Sequence, residues 1–441
     1  MSPAYEQTTG SNSHWSVNAL AGWLLFAMIL LSIAHGLMPE QVPRLLAGIA
    51  AWIAGLLLFT QVTGLGRYQA LVLLLVGFSV MAWGVLNGAS LPLEKALSTN
   101  QGLLAMFAAV SFLRLVTLPE SSDEDRLPSG PKALWRTLLG VHFFGSVINL
   151  SAVMIMADRQ SRFQPLSPIQ AMVLSRGFAV ASHWSPFFAA MGVALTNAPG
   201  SELTVLTPIG LPIAMFALLV TGITLGRSEP GRAFAGYPML FSSLWIPALL
   251  SVAVLACHLQ WREIPILTLI SSLSVSLTLA LLLIRNGPGG VRKFGNHIVT
   301  GLPRLRGELT LFLCAGILAA GITAAMEALA VELTIDHFGP MEASLLLVSM
   351  VGISILGVHP VISIATASSI LMPVVADPNL LALTFLMTWA LGITTSPFSG
   401  MNLAMQGRYG INAYMFPRWN GKFTLLLLLV DSLVLHLYAG W

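Results

Sequence analysis

Charge is what this chain has least of: Asp, Glu, Lys and Arg make up 9% of its 441 residues, while hydrophobic residues make up 56%. With a mean hydropathy of +0.82, it lies far outside the composition of soluble domains and cannot clothe itself in a solvated surface. An integral membrane protein follows. The formal charge of +3 is scattered over loops, so no basic block exists for nucleic acid. Cysteine is almost missing; Cys257 and Cys314 sit in apolar runs without CxxC spacing, which excludes a disulfide framework and a thiolate metal site. The chain has no P-loop, which removes built-in ATP coupling. It also lacks a His-Glu-x-x-His pair, a nucleophile elbow and a paired acidic metal motif, which weighs against a membrane-embedded enzyme. The polar first seventeen residues lack a basic signal-peptide region, and the apolar run from Asn18 reads as a retained helix. A multi-pass protein of a bacterial inner membrane is the default expectation.

What is present is hydrophobic length. A window of about 20 residues per span picks out runs at 18–36, 43–63, 68–87, 101–118, 135–157, 203–225, 236–258, 263–285, 308–330, 380–396 and 421–439, giving about ten to twelve crossings of an all-α protein. Two further stretches, Ser167–Pro199 and Met341–Pro373, are each about 33 residues long with a proline near the middle. A straight helix of that length would be about 50 Å, beyond a hydrocarbon core of about 30 Å. Each is therefore read as a re-entrant hairpin, with tips at Ser182-His183-Trp184-Ser185-Pro186 and Gly357-Val358-His359-Pro360.

A second helix-breaking element follows each: Leu206–Pro212, containing Thr207 and Gly210, and Thr394–Asn402. Two copies of hairpin plus broken helix are the signature of an internally repeated carrier. The expected organisation is scaffold at 1–134, a first transport repeat at 135–225 in the order helix, hairpin, broken helix, scaffold with an interfacial arm at 226–307, a second repeat at 308–415 and a terminal helix at 416–441. One count resists it. Inverted copies of the helices at 135–157 and 308–330 need an even number of crossings between them, and the runs supply three.

Half-helices ending at membrane depth aim dipole ends and free backbone groups at a cavity, so they bind ions without formal charge. The candidates for substrate or ion binding are Ser182, His183, Ser185, Thr207, Gly210, Gly357, His359, Thr394, Thr395, Ser396, Gly400 and Asn402. The hydroxyls and the amide supply ligands, and glycines at 357, 392 and 400 let a solute approach the backbone. The competing reading of small polar residues is helix–helix packing. His183 and His359 could carry protons or only satisfy tip backbone. His142, Ser146 and Asn149 share one helix face, with Asn149 a coupling candidate beside Glu327; Glu327 and Asp431 are the acids deepest in apolar runs, and Arg176 reads as reaching headgroups or a substrate carboxylate. The basic, amphipathic stretch 287–307 suits a helix lying at the interface, with 118–132 as its counterpart.

The string Gly392-Ile393-Thr394-Thr395-Ser396-Pro397, with Gly400, Asn402 and Leu403, resembles the broken-helix motif of the ion transporter superfamily, which includes divalent anion/sodium symporters, citrate carriers and the TRAP large subunit. The resemblance covers roughly 100–441. It implies an elevator-type secondary transporter of a small organic or inorganic anion coupled to Na+ or H+, with arms joining a moving domain to a scaffold that dimerises. The Ser-Asn-Thr hairpin signature of dicarboxylate symporters is absent at both tips, so a dicarboxylate is not implied. The partners expected are the solute, the bilayer and a second copy of the chain, with no nucleic acid; there is no cofactor, and no metal beyond a sodium ion at the hairpin tips. A cation/proton antiporter on the same fold, favoured if Glu327 faces the cavity, and a membrane-embedded enzyme are the alternative functions.

Overall fold

The computed structural model describes residues 12–117, 127–162, 164–239, 244–329 and 337–440, and every regular element in them is helical. Nine of these helices are long and apolar enough to cross a membrane, so the protein is an all-α, multi-pass membrane protein. The N-terminal part comprises α1 (Asn12–Leu37), α2 (Arg44–Leu58), α3 (Gly64–Leu86), α4 (Leu93–Ser98), α5 (Gln101–Val110) and α6 (Arg114–Thr117). The first set of interest follows: α7 (Pro131–Ile148), α8 (Leu150–Gln160), α9 (Pro168–Ala179), α10 (Ala189–Asn197) and α11 (Leu203–Gly226). Next come α12 (Glu229–Arg232), α13 (Trp245–Gln260), α14 (Ile266–Asn286), α15 (Pro288–Thr300) and α16 (Arg306–Leu329), the last packed along α3. The second set is α17 (Pro340–Ile355), α18 (Pro360–Leu371), α19 (Pro378–Thr395), α20 (Gly400–Tyr409) and α21 (Phe416–Ala439).

Hydrogen bonds fix how the first set runs. Gln160 at the end of α8 and Gln170 at the start of α9 both donate to the Ala235 carbonyl, 3.0 and 2.8 Å away. The Gly130 amide, just before α7, donates to Phe234. Thus α7 leaves one end of the bundle, turns at Asn149 and comes back as α8, after which α9 leaves the same end again. A 3-10 turn (Val180–His183) and Pro186 interrupt it, and α10 continues to the opposite end. There the Glu202 amide donates to Asn379 and the Asn197 carbonyl accepts from Ser368. From that end α11 returns, Gly222 packing on Trp135 near the start of α7.

The second set runs the other way. Ser368 of α18 and Asn379 of α19 lie at this far end, α19 is interrupted at Ser396–Ser399, and α20 brings Arg408 and Tyr409 to Asp158 of α8 at the first end. The two halves touch where α10 and the 3-10 turn pack on α19.

This order differs from the sequence reading in three places. The run 135–157 is not one helix but the pair α7–α8, because Asn149 takes φ 51°, ψ −141° and reverses the chain. Ser167–Pro199 is not a hairpin; α9 and α10 are joined across a break and lead onward, which also accommodates 33 apolar residues around a proline. Leu206–Pro212 is not broken, since Leu203–Gly226 stays helical through Pro208 and Pro212; each ring removes one amide bond, a loss that a helix packed among others tolerates. With 135–157 turning back, the interrupted helix, α11, α13, α14 and α16 lie between the two pairs. The terminal helix, α21, follows the second interruption as α11 follows the first. The stretch 287–307 does form a helix, α15, burying Phe294 and Ile298 with Arg292 and Lys293 exposed. Its expected counterpart at 118–132 falls largely outside the described residues.

Candidate functional site

The two interruptions share one tripeptide and one turn. Ser185-Pro186-Phe187 and Ser396-Pro397-Phe398 stand 211 residues apart. In both, the serine amide closes the preceding helix on the carbonyl four residues back, Ala181 at 3.0 Å and Gly392 at 2.8 Å. In both, the serine hydroxyl accepts from the phenylalanine amide, at 3.3 and 3.2 Å, and a new helix starts four residues after the serine, at Ala189 and Gly400. Proline forces this because it has no amide to continue the ladder and disfavours a helical residue before it. The repeated tripeptide was the signal that sequence reasoning missed by aligning the first break with the second hairpin.

A helix cut in an apolar interior frees carbonyls that need partners. At the first break, Thr207 donates to the Trp184 carbonyl at 3.0 Å and Asn149 to that of Phe187 at 3.0 Å, while Ser185 donates to Ser146 at 2.5 Å. Gly210 lies against His183, where a Cβ would overlap the carbonyl oxygen. Thr207 and Gly210 therefore serve the break from a neighbouring unbroken helix. At the second break, Asn402 donates to Ile393 at 3.1 Å and Ser396 at 2.9 Å, and Asn420 donates to Thr394 at 2.8 Å. Arg176, buried rather than at headgroups, holds Asn420 at 2.8 Å and the Trp419 carbonyl at 2.9 Å, with its guanidinium 4.6 Å above the Phe423 ring.

The other candidates divide. Thr394 and Thr395 spend their hydroxyl protons inside α19, on Ala390 and Leu391, and Thr395 also approaches Thr424 at 3.5 Å. His359 caps α18, accepting from Val361, and meets the Trp389 ring edge-on. Gly357 turns the α17–α18 pair at φ 118° and accepts from Gln69 of α3 at 3.1 Å. Gly400 is exposed with open space beside it. Glu327 is brought to none of these. It is exposed near the end of α16 and bonded to Ser90, so its place deep in an apolar run gives way to a helix end. Among the described residues, the buried Ser182 Oγ, Ser354 Oγ, Thr388 Oγ1 and Asn402 Oδ1 have no hydrogen-bond partner.

Asn149 is strained on purpose. Gly287 adopts nearly the same backbone, φ 54°, ψ −136°, between α14 and α15, and that region costs a non-glycine residue about 1–3 kcal/mol. Here the side chain offsets the strain by clamping the Phe187 carbonyl and accepting from Ala189 at 3.4 Å. It also lines a cavity of about 360 Å3 together with Ser151, Asp158, Arg408, Arg114, Arg304 and Glu308. Asp158 is bonded to Arg408 at 2.6 Å. With that pair neutralised, Arg114 and Arg304 outnumber Glu308 in the lining, which leaves the cavity attractive to anions.

Compared with known proteins, the chain matches no family model and no curated protein.

Proposed function

We propose that the protein is a secondary active transporter of a small anion, driven by a sodium or proton gradient. The observation that carries this reading is the duplicated Ser-Pro-Phe break: two interrupted helices run in opposite directions, each beside a helix pair that turns back. In a bilayer such pairs are re-entrant hairpins and the sets 131–226 and 340–439 are inverted repeats, the architecture that gives a site equal access to two sides. The arginine-bearing cavity supports an anionic solute. It lies between the hairpin set (Asn149, Ser151, Asp158) and elements outside it (Arg114, Arg304, Glu308), the boundary across which an elevator would slide. A homodimer through the N-terminal helices, in a bacterial inner membrane and on the ion transporter superfamily fold, completes the proposal.

The test is uptake into proteoliposomes of labelled sulfate, phosphate, succinate and citrate, each with a sodium gradient, a proton gradient or neither. Gradient-driven accumulation of one anion, weakened by Arg114→Gln, is expected. Transport of a monovalent cation against protons, with no anion moved, would instead establish the antiporter reading.

A further inference from the structure

The sequence gives His183 no titratable neighbour, yet the fold places Asp431 of α21 beside it. His183 Nε2 and Asp431 Oδ1 are 3.4 Å apart, and the two side chains are 1% and 0% exposed. Neither carboxyl oxygen has a hydrogen-bond partner among the described residues. A carboxylate in that state would face an apolar interior with one imidazole for company, and an isolated buried charge is the costliest arrangement a protein can hold.

The ring's own bonding says where the proton sits. His183 Nδ1 is 3.2 Å from the Val180 carbonyl, an acceptor, so Nδ1 carries hydrogen. A second hydrogen on Nε2 would make a buried ion pair whose carboxylate has no other partner among the described residues, the costlier arrangement; with the ring neutral, Nε2 offers a lone pair that a protonated Asp431 carboxyl uses. Surrounding groups leave that proton no other home. On α7, His142 has both nitrogens engaged as a neutral ring, Nδ1 on Gly177 at 3.0 Å and Nε2 accepting from Trp184 at 3.2 Å. On α9, Arg176 is bound to α21 through Asn420 and Trp419. The stretches α10, α11 and α19 packed around the pair have no acid, base or histidine; α17 has Glu342 alone, in its first turn and bonded to Gly339. Arg418, Lys422, His436 and Tyr438 complete α21, and Tyr414 precedes it.

We infer that His183 and Asp431 form the binding site of the coupling proton, a deepening that rests on the transporter reading. A proton from water forms the O–H bond of Asp431, cancels its charge and is held by His183 Nε2; release breaks that bond and returns the proton to water. Because His183 belongs to the first interruption and Asp431 to the uninterrupted helix of the other set, the pair rides with both sets as they slide past the N-terminal helices, and a bare carboxylate carried into the apolar interior would block that stroke.

Infrared difference spectroscopy on the purified full-length protein, taken through a pH titration, tests the site without any solute. Wild type should show the C=O stretch of a buried protonated carboxyl. Asp431→Asn should lose it, and His183→Gln, which keeps the carboxyl, should shift it. No band distinguishing wild type from Asp431→Asn, or a band that sodium chloride removes and choline chloride does not, would overturn the proton site. In proteoliposomes carrying the anion panel, a pH gradient should accelerate wild-type uptake and leave Asp431→Asn unaffected, while anion–anion exchange by the variant persists. Gradient-stimulated uptake in Asp431→Asn would overturn the coupling role. Failure of wild type to move any anion would sink the transporter reading and the coupling role with it, and the infrared band would decide the proton site by itself.

Discussion

The two interruptions have the same Ser-Pro-Phe turn and opposite surroundings. At the first, the freed carbonyls are met by other elements, Thr207 of α11 and Asn149 of the helix-pair turn, with Gly210 letting α11 close on the His183 carbonyl. At the second, most of the work is local, through Asn402 just past the break, with Asn420 reaching in from α21. One turn chemistry can therefore be duplicated while its support diverges, which frees the first break to hold His183 against Asp431 and leaves Asn402 Oδ1 open at the second. The helix pairs diverge as well: Gln69 latches Gly357 of the second, whereas Asn149 of the first borders the charged cavity.

The sharpest way to break the comparison is a matched glycine pair. Gly210 and Gly421 are 211 residues apart, like the two serines, but a Cβ at Gly210 overlaps the His183 carbonyl whereas one at Gly421 meets nothing within 4 Å. Gly210→Ala should cost about 3 kcal/mol or more, since backbone cannot yield as a side chain can, and abolish transport. Gly421→Ala should be neutral or stabilising by up to about 1 kcal/mol. Thermal unfolding in detergent followed by tryptophan fluorescence measures both, and equal effects would mean that α11 does not support the break.

Asn402→Ala comes next. It orphans two carbonyls, so a loss of about 1–3 kcal/mol in stability is expected, together with loss of transport. Asn402→Asp retains the open oxygen but not the donors, and should be as unstable as the alanine variant. If either variant unfolds like wild type, the local support assigned to the second break is absent.

Arg114→Gln should weaken anion binding by about 1.5–3 kcal/mol, roughly 10- to 150-fold in Kd, read by isothermal titration with the transported anion. Arg44→Gln removes only an exposed ion pair with Glu94, away from the cavity lining and worth less than about 1 kcal/mol, so its Kd should barely move. Similar losses in the two would show that net charge matters and not position.

The smallest effect is expected at Gln69. Gln69→Ala gives up one hydrogen bond, about 1 kcal/mol, and should shift the balance between states about fivefold. A cysteine at Ser151, in a chain without Cys257 and Cys314, should then be labelled more slowly as the cavity closes more often. An unchanged labelling rate would show that the Gln69 contact is no latch.

Hydrophobic length and charge poverty determined the all-α membrane class without any structure, because continuous apolar runs of about 20 residues satisfy their backbone in lipid as helices, whereas barrel strands are shorter and alternate. The second interruption was equally legible, since Thr394 to Asn402 packs Gly, Pro and an amide into one window. The first was misplaced, because proline has two readings at membrane depth. Pro186 and Pro397 cut their helices, whereas Pro208 and Pro212 sit inside one, and the difference depends on which neighbour supplies partners to the freed carbonyls. Asn149 looked like one more polar position on a helix face, and only its φ of 51° revealed a reversal. Sequence alone thus determined where helices are stressed. The tertiary structure decided which stresses become breaks, which way each segment runs, and that Asp431 meets His183 across 248 residues of chain, because partners for buried polar groups come from packing and not from neighbours in sequence.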